Sequence, residues 1–155
     1  MVGHFGSEVL DDNGILNRWK LGRIAFDDSE KIATLNDIMH PMLVEEIEKE
    51  IQEIRREGTM LVINAALLFE AGISEYCDYI ITVVAEPDVR EKRAITKRGW
   101  PAGEMSRREG YLVMSLDEKI ARSSFVINNN GSLEKLRREV ERIYKEILNG
   151  QADQA

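Results

Sequence analysis

The stretch YIITVVAEPDVREKRAITKRG, from Tyr79 to Gly99, decides the fold. Its first seven residues, Tyr79 to Ala85, are mostly apolar and rich in β-branched side chains, without strict alternation. That pattern is typical of a parallel strand buried on both faces. Pro87 then favours the first turn of a helix, and Gly99 is the kind of residue that ends one. A strand followed at once by a helix predicts an α/β domain with a parallel sheet.

Two further runs have the character of central strands. They are MLVIN, from Met60 to Asn64, and FVI, from Phe125 to Ile127. Strands that alternate with helices predict right-handed crossover connections. Three strands are few for such a sheet, so the sequence indicates either an undetected strand or an incomplete sheet.

Capping residues mark the helices of the first half of the chain. We predict that Asn17 caps a first helix and that Asp28 or Ser29 begins a second, short one. A third helix is expected to begin at His40-Pro41, because proline disfavours helix in the residue before it and suits the first helical position. Gly58 is predicted to end that third helix.

The second half carries similar signals. Ser115 and Glu118 have the spacing of a capping box, and the NNNG sequence at Asn128 to Gly131 is typical of a loop. Ser132 is predicted to cap the last helix, which we expect to end at Gly150.

Composition excludes several classes of protein. The chain has 155 residues, 43% hydrophobic and 32% charged, as expected of one folded domain. A formal net charge of -7 argues against a general nucleic-acid or anionic-membrane binder. A single cysteine, Cys77, and no evident signal peptide favour the cytoplasm. The apolar run from Met60 to Phe69 is far shorter than the roughly 20 residues of a membrane span.

A local excess of basic residues lies between Glu86 and Arg108. This span holds seven of the 21 basic residues and four acidic ones; the basic residues are Arg90, Lys92, Arg93, Lys97, Arg98, Arg107 and Arg108. One interpretation is a closing lid whose arginines neutralise the charge of a phosphoryl group during transfer. The arginines that this interpretation favours are Arg93, Arg98, Arg107 and Arg108. The other is a solvated helix face with ion pairs four residues apart, such as Glu86 with Arg90.

Two familiar motifs are missing from these 155 residues. None of the eleven glycines is followed by lysine, so the phosphate-binding sequence GxxxxGK[ST] does not occur. Two histidines and one cysteine, all widely spaced, give no zinc-site pattern. We therefore expect no transition-metal site.

Four stretches together resemble the dephospho-CoA kinase family. They are HFG at His4 to Gly6 with NRWKLGRIAF at Asn17 to Phe26, LNDIMHP at Leu35 to Pro41, VINAALLFEAG at Val62 to Gly72, and KIARSSFVINNNGSLEKL at Lys119 to Leu136. Each is weak alone, but their order and approximate spacing match the family over nearly the whole chain.

The resemblance implies a P-loop kinase type of three-layer α/β fold that lacks the first strand and the phosphate loop. It implies one domain over residues 1–155, with a helical acceptor-substrate region at about 4–58 and a lid at about 99–114. The implied reaction is transfer of the ATP γ-phosphoryl group to the 3'-hydroxyl of dephospho-CoA, the last step of coenzyme A biosynthesis. ATP and Mg²⁺ are the implied cofactors, and without the phosphate loop these residues alone are expected to be inactive.

The resemblance also implies roles for particular residues. The candidate catalytic residues of the lid are Arg98, Arg107 and Arg108; the candidate acceptor-binding residues are His40, Leu67, Leu68 and Glu70; the candidate nucleotide-binding residues are Asn129 and Gly131. Plainer interpretations stay open: the leucines as core, His40 as a partner of backbone groups, and the NNNG loop as a simple turn.

The chain departs from the family pattern at three positions. Asn64 stands where the family has aspartate, Ala66 where it has proline, and Val113 near the position of a family glutamine. Asn64 keeps an acceptor oxygen but carries no charge. Because Val113 interrupts the family's lid motif, the sequence does not decide which arginine reaches the phosphates.

Two other functions compete with the kinase hypothesis. One is a noncatalytic module that binds a CoA-like ligand or a protein partner, and the other is a small-molecule P-loop kinase with a different acceptor. The expected partners are dephospho-CoA and ATP, with no nucleic acid and no membrane. An incomplete sheet would expose parts of Leu61, Ile63, Ile81 and Val83 and favour self-association.

Overall fold

The structure is a computed structural model that describes residues 1–111 and 114–152. The chain forms two compact units, Met1–Ile73 and Ser74–Ala155. A 3-10 turn at Ile73–Tyr76 spans the boundary between them.

The first unit is helical. Its elements are α1 (Val2–Phe5), a 3-10 turn (Ser7–Val9), α2 (Arg18–Ala25) and α3 (Ser29–Glu57). Asn17 caps α2 as predicted, since its Oδ1 accepts hydrogen bonds of 3.0 Å from the backbone N–H groups of Trp19 and Lys20. A small core of four buried residues holds the N-terminal elements together; these are Phe5, Val9, Leu21 and Ala25.

One long helix replaces the two helices predicted on either side of His40-Pro41, so that prediction was wrong. Asp28 caps α3 and Gly58, with a left-handed φ of 66°, ends it, while Pro41 lies in its interior. Proline removes one hydrogen bond, to the carbonyl of Asp37 four residues earlier. Apolar residues continue on one side of the helix before and after Pro41, which explains why the helix is not interrupted.

The predicted strand from Met60 to Asn64 does not form. The segment is outside any strand, and the side chain of Val62 is 81% exposed. Its β-branched residues favour extended backbone, but a strand also needs a neighbour whose N–H and C=O groups complete the ladder. Sequence propensity alone therefore gave the wrong answer here.

The second unit contains the parallel sheet. Its elements are β1 (Ile81–Val84), α4 (Pro87–Arg98), α5 (Glu104–Glu109), α6 (Leu116–Ala121), β2 (Phe125–Asn128) and α7 (Leu133–Ala152). The two strands pair in parallel, with Ile81 opposite Phe125 and Val84 opposite Asn128. This arrangement confirms the α/β class with a parallel sheet. A buried cluster of Ile127, Ile143 and Ile147 packs α7 against β2.

Most helix ends of the second unit follow the sequence signals. Pro87 occupies the first turn of α4, Gly99 ends it with φ 65°, and Ser115 and Glu118 form the predicted capping box. Ser132 also caps α7 as predicted, through Lys135 N–H at 3.3 Å. Gly150 does not end that helix, so this prediction was wrong.

Gly150 has a packing role instead. A Cβ at this position would lie 3.3 Å from the Tyr79 hydroxyl. The glycine thus permits a close approach to Tyr79 within a helix that continues to Ala152.

Two apolar side chains of β1 are exposed, as an incomplete sheet predicts. Ile81 is 41% exposed and Val83 is 56% exposed, whereas Leu61 and Ile63 of the first unit are half-buried. Among the helices that the structure describes, none is long and apolar enough to cross a bilayer.

Candidate functional site

Trp100 and Glu104 join the three predicted lid arginines into one network. The guanidinium carbons of Arg98 and Arg108 lie 5.3 and 4.4 Å from the centre of the Trp100 ring. Glu104 accepts hydrogen bonds from Arg107 Nε at 3.0 Å and from Arg108 Nε at 2.7 Å. We call these five residues the lid network.

A short link between α4 and α5 builds the network. Gly99 reverses the chain in the left-handed conformation, and Trp100 N–H donates back to the Ala94 carbonyl at 3.3 Å. Glu91 on α4 accepts a 2.6 Å hydrogen bond from the N–H of Gly103, the residue before α5. The two helices are therefore tied together at the link.

A second ion pair joins the same two helices. Arg90 on α4 pairs with Glu109 on α5. This was not the predicted partner of Arg90. The Glu86 carboxylate instead accepts a hydrogen bond of 3.4 Å from the Asn130 side-chain amide. The example pair Glu86–Arg90 was therefore wrong. The pairs of Glu104 with Arg107 and Arg108 are three and four residues apart, as the interpretation of a solvated helix face expects, so that interpretation stays open.

Glu104 is held in its charged form. Hydrogen bonds from Arg107 and then Arg108, reinforced by their charges, lower the pKa of Glu104 below its ordinary value. The charges of two lid arginines are thus shared with one carboxylate in this structure.

A groove of about 290 Å³ lies beside the lid network. Cationic and apolar side chains line it together; they are Arg90, Arg93, Ala94, Lys97, Arg98, Trp100 and Met105. Four of these seven residues carry positive charge in a chain of net charge -7. The surface that these residues expose is mostly apolar, and Arg90 and Arg93 are already bonded to neighbouring groups, so the groove suits the apolar part of a ligand best.

The NNNG loop is fixed against the end of β1 and against α4. Asn129 N–H donates to the Val84 carbonyl at 2.7 Å, and Asn130 Oδ1 accepts from Glu86 N–H at 2.7 Å. Arg93 Nη1 donates to the Asn129 carbonyl at 2.8 Å. Arg93 therefore belongs to both the groove and the loop.

Gly131, the other predicted nucleotide-binding residue, follows this loop. It is exposed, and a Cβ there would lie 3.1 Å from Cδ of Lys135.

The predicted acceptor-binding residues all belong to the first unit. His40 lies within α3, and its Nε2 is buried without a hydrogen-bond partner among the described residues. Leu67, Leu68 and Glu70 are half-buried in the turn that follows Met60–Asn64, where Ala71 N–H donates to the Leu67 carbonyl at 2.9 Å. Half-burial fits either a core or a binding role for the leucines.

Sequence reasoning missed two members of the lid network. Glu104 precedes Arg107 and Arg108 by three and four residues, a spacing that favours ion pairs on a helix and was available in the sequence. Trp100 lies directly after a helix-ending glycine and carried no such signal. Val113, the departure from the family pattern, lies outside the described residues, as does part of the predicted lid at 99–114.

The described residues offer no ready metal centre. Within residues 1–111 and 114–152, no group of three or more His, Cys, Asp and Glu side chains is placed to hold a metal ion. Magnesium in kinases is usually held by one or two carboxylates together with substrate phosphates, so this observation concerns only sites built wholly from protein side chains.

Solved structures share this fold. A dephospho-CoA kinase from Campylobacter jejuni superposes with a TM-score of 0.63 and 22% sequence identity, covering 97% of this chain and 75% of that one. The protein TT1252 from Thermus thermophilus superposes with a TM-score of 0.62 and 26% identity, covering 94% and 73%. The fold defines the class of the protein, which is that of the α/β proteins with a parallel sheet to which these two solved structures belong.

Sequence comparisons narrow the class to one family. The family model described as dephospho-CoA kinase matches residues 1–135. The dephospho-CoA kinase of Aquifex aeolicus is 37% identical over 147 residues, which are 95% of this chain and 74% of the relative. That of Listeria monocytogenes is 38% identical over 141 residues, or 90% and 70%. The chain belongs to the dephospho-CoA kinase family. None of these findings favours a noncatalytic module or a kinase for another acceptor.

Proposed function

We propose that this chain takes part in transfer of the ATP γ-phosphoryl group to the 3'-hydroxyl of dephospho-CoA, the last step of coenzyme A biosynthesis. The observation that carries the proposal is the lid network, which gathers Arg98, Arg107 and Arg108 around Trp100 and Glu104 beside a cationic groove. Membership of the family supports the same reaction.

The lid arginines contact phosphate in this proposal. Negative charge spreads over the oxygens of the transferred group, and guanidinium groups held in place stabilise it. Trp100 supports this role because its ring lies against two of the three guanidiniums and restricts where they point.

The loop of Asn129 and Gly131 contacts the adenine ring in this proposal. Backbone carbonyls and side-chain amides suit the exocyclic amine of adenine. Contacts with Val84, Glu86 and Arg93 support the role, because they hold the loop in one conformation before any ligand arrives.

His40, Leu67, Leu68 and Glu70 bind the acceptor in this proposal. The buried Nε2 of His40 supports it, since a buried polar atom without a partner is costly unless a ligand or water satisfies it. The half-buried leucines add apolar surface, and Glu70 adds a carboxylate.

ATP is the phosphoryl donor, and we infer that magnesium enters with its phosphates, as is usual for kinases. The sequence GxxxxGK[ST] is not among the 155 residues, so we assign no phosphate-loop residue to them. We assign no magnesium ligand to this chain. A cytoplasmic location stays a prediction.

Calorimetry with dephospho-CoA tests the acceptor site in the 155-residue chain. We expect weak binding that His40→Ala weakens further. Met42→Ala is the matched control, because Met42 lies on the same helix and is 62% exposed. Absence of heat with the unsubstituted chain at millimolar ligand would contradict the proposal, as would equal effects of the two variants.

A further inference from the structure

Glu104 occupies the hydrogen-bonding groups that a phosphate would need. Its Oε1 accepts from Arg108 Nε at 2.7 Å and from Arg107 Nη2 at 3.1 Å, while its Oε2 accepts from Arg107 Nε at 3.0 Å. The contact to Arg107 is the two-point geometry in which a guanidinium also binds phosphate oxygens. Carboxylate and phosphate are thus alternatives for the same donors.

Exposure favours exchange at this position. The side chain of Glu104 is 16% exposed, while those of Arg107 and Arg108 are 39% and 27% exposed. The two arginine side chains are therefore more accessible to solvent than the side chain of Glu104. An ion pair this close to water stabilises its partners only weakly, because solvent screens the two charges.

We propose that Glu104 sets the phosphate affinity of the lid, by holding Arg107 and Arg108 when no phosphate is bound and releasing them to the phosphate when it arrives. This role rests on the proposed function, because it takes these arginines to bind phosphate. Glu104 acts as an internal competitor: it keeps the arginines ordered and lowers their affinity for anions. Phosphate binding then includes the cost of breaking two ion pairs with Glu104.

Removing the charge of Glu104 tests the proposal. The probe is inorganic tripolyphosphate, and its dissociation constant is measured by calorimetry with the 155-residue chain at low salt. We expect Glu104→Gln to bind about three- to tenfold more tightly than the unsubstituted chain, because one or two weak ion pairs no longer compete. Glutamine has nearly the same shape, and circular dichroism checks that the variant is folded.

Glu139→Gln is the matched control. Glu139 pairs with Arg142 at 3.2 Å on α7, so this variant makes the same substitution, breaks an arginine ion pair and changes the net charge equally. If Glu104→Gln binds tripolyphosphate no more tightly than Glu139→Gln does, the change in net charge explains any gain in affinity over the unsubstituted chain. The proposed role of Glu104 is then refuted. The proposed function survives that result as long as the unsubstituted chain binds tripolyphosphate.

A double-mutant cycle locates the effect. In a chain that carries Arg107→Ala and Arg108→Ala, Glu104→Gln should no longer strengthen binding, since the competition acts through these two arginines. A gain of the same size in that background would overturn the proposal. If neither the unsubstituted chain nor Glu104→Gln binds tripolyphosphate, the phosphate role of the lid falls together with the role of Glu104.

Carbon NMR of the unsubstituted chain gives a reading that needs no stable Glu104 variant. On saturation with tripolyphosphate, the Glu104 carboxyl resonance should move towards its position in the chain with both arginines replaced. A resonance that stays unchanged while tripolyphosphate binds would show that the carboxylate is not exchanged.

Discussion

Arg93 Nη1 donates a 2.8 Å hydrogen bond to the backbone carbonyl of Asn129, linking α4 to the NNNG loop. The two residues are 36 positions apart in sequence, and Arg93 also lines the cationic groove. The loop proposed to contact adenine and the groove beside the lid network are thus connected through one side chain.

The first prediction concerns this hydrogen bond. Arg93→Ala should increase hydrogen exchange at the amides of Asn129 and Asn130 and lower the free energy of unfolding by about 1.5 to 3 kcal/mol, as expected for loss of a hydrogen bond from a charged donor. Lys92→Ala, at the adjacent exposed position of α4, is the control. Equal exchange in both variants would show that Arg93 does not hold the loop.

Local signals were the predictable part of this fold. The caps Asn17, Ser115 and Ser132 and the terminators Gly58 and Gly99 act within a few residues, so sequence alone identified them. Such signals depend on hydrogen bonds between near neighbours in sequence. Tertiary context changes them little.

The errors came from features that depend on distant partners. Met60–Asn64 has strand propensity without a ladder partner, and Pro41 is tolerated inside a helix whose apolar side is continuous. At the candidate site, composition indicated the arginines. Their arrangement around Trp100 required the folded link between α4 and α5.

The second prediction is that the 155-residue chain, tested alone, does not phosphorylate dephospho-CoA with ATP. The reason is that these residues contain no GxxxxGK[ST] sequence to hold the donor phosphates. A coupled assay for ADP should give the same rate with and without the chain. Turnover above that background would require a phosphate site of another kind.

The third prediction concerns the charge of the lid. Replacing Arg98, Arg107 and Arg108 together by alanine should flatten the salt dependence of tripolyphosphate binding, because fewer cations then contact the anion. A matched triple variant replaces Arg137, Arg138 and Arg142 of α7 and removes the same charge. If both variants keep the original salt slope, the lid arginines are a solvated helix face.

The fourth prediction concerns Cys77. Burial, and to a smaller extent the neighbouring charge of Asp78, raises the pKa of its thiol above the ordinary value. The rate at which iodoacetamide alkylates Cys77 should therefore rise with pH. The pH midpoint of that rise should be higher in the folded chain than in the same chain unfolded in urea. Asp78→Asn should reduce the difference between the folded and unfolded midpoints only slightly, because the charge of Asp78 is the smaller cause.

This shift also has a consequence for stability. Because the folded state raises the thiol pKa, the stabilisation is fully present below the pKa of the unfolded chain and is lost as pH rises through the folded pKa. In Cys77→Ser, the free energy of unfolding should fall less as pH rises through this range, because serine has no thiol to ionise. If the free energy of unfolding falls equally in this variant and in the unsubstituted chain, the fall is not caused by ionisation of Cys77.

The last prediction is that the 155-residue chain self-associates through β1. Ile81 and Val83 are two residues apart on this strand and so lie on one face, where they are 41% and 56% exposed. In the part of the chain that the structure describes, the sheet has only β1 and β2, so each strand has an edge without a ladder partner. Apolar surface left in water costs about 25 cal/mol per Å², and open strand edges pair readily with other chains.

Light scattering during size-exclusion chromatography measures this association. The mean mass should rise with protein concentration, and Val83→Lys should lower it by placing a charge on the exposed face of β1. Val62→Lys is the control, because Val62 is 81% exposed but lies outside any strand, so it should leave the mass unchanged. A monomer of constant mass at all concentrations would mean that the exposed face of β1 does not drive association, and equal effects of the two lysine variants would assign any association to general hydrophobicity.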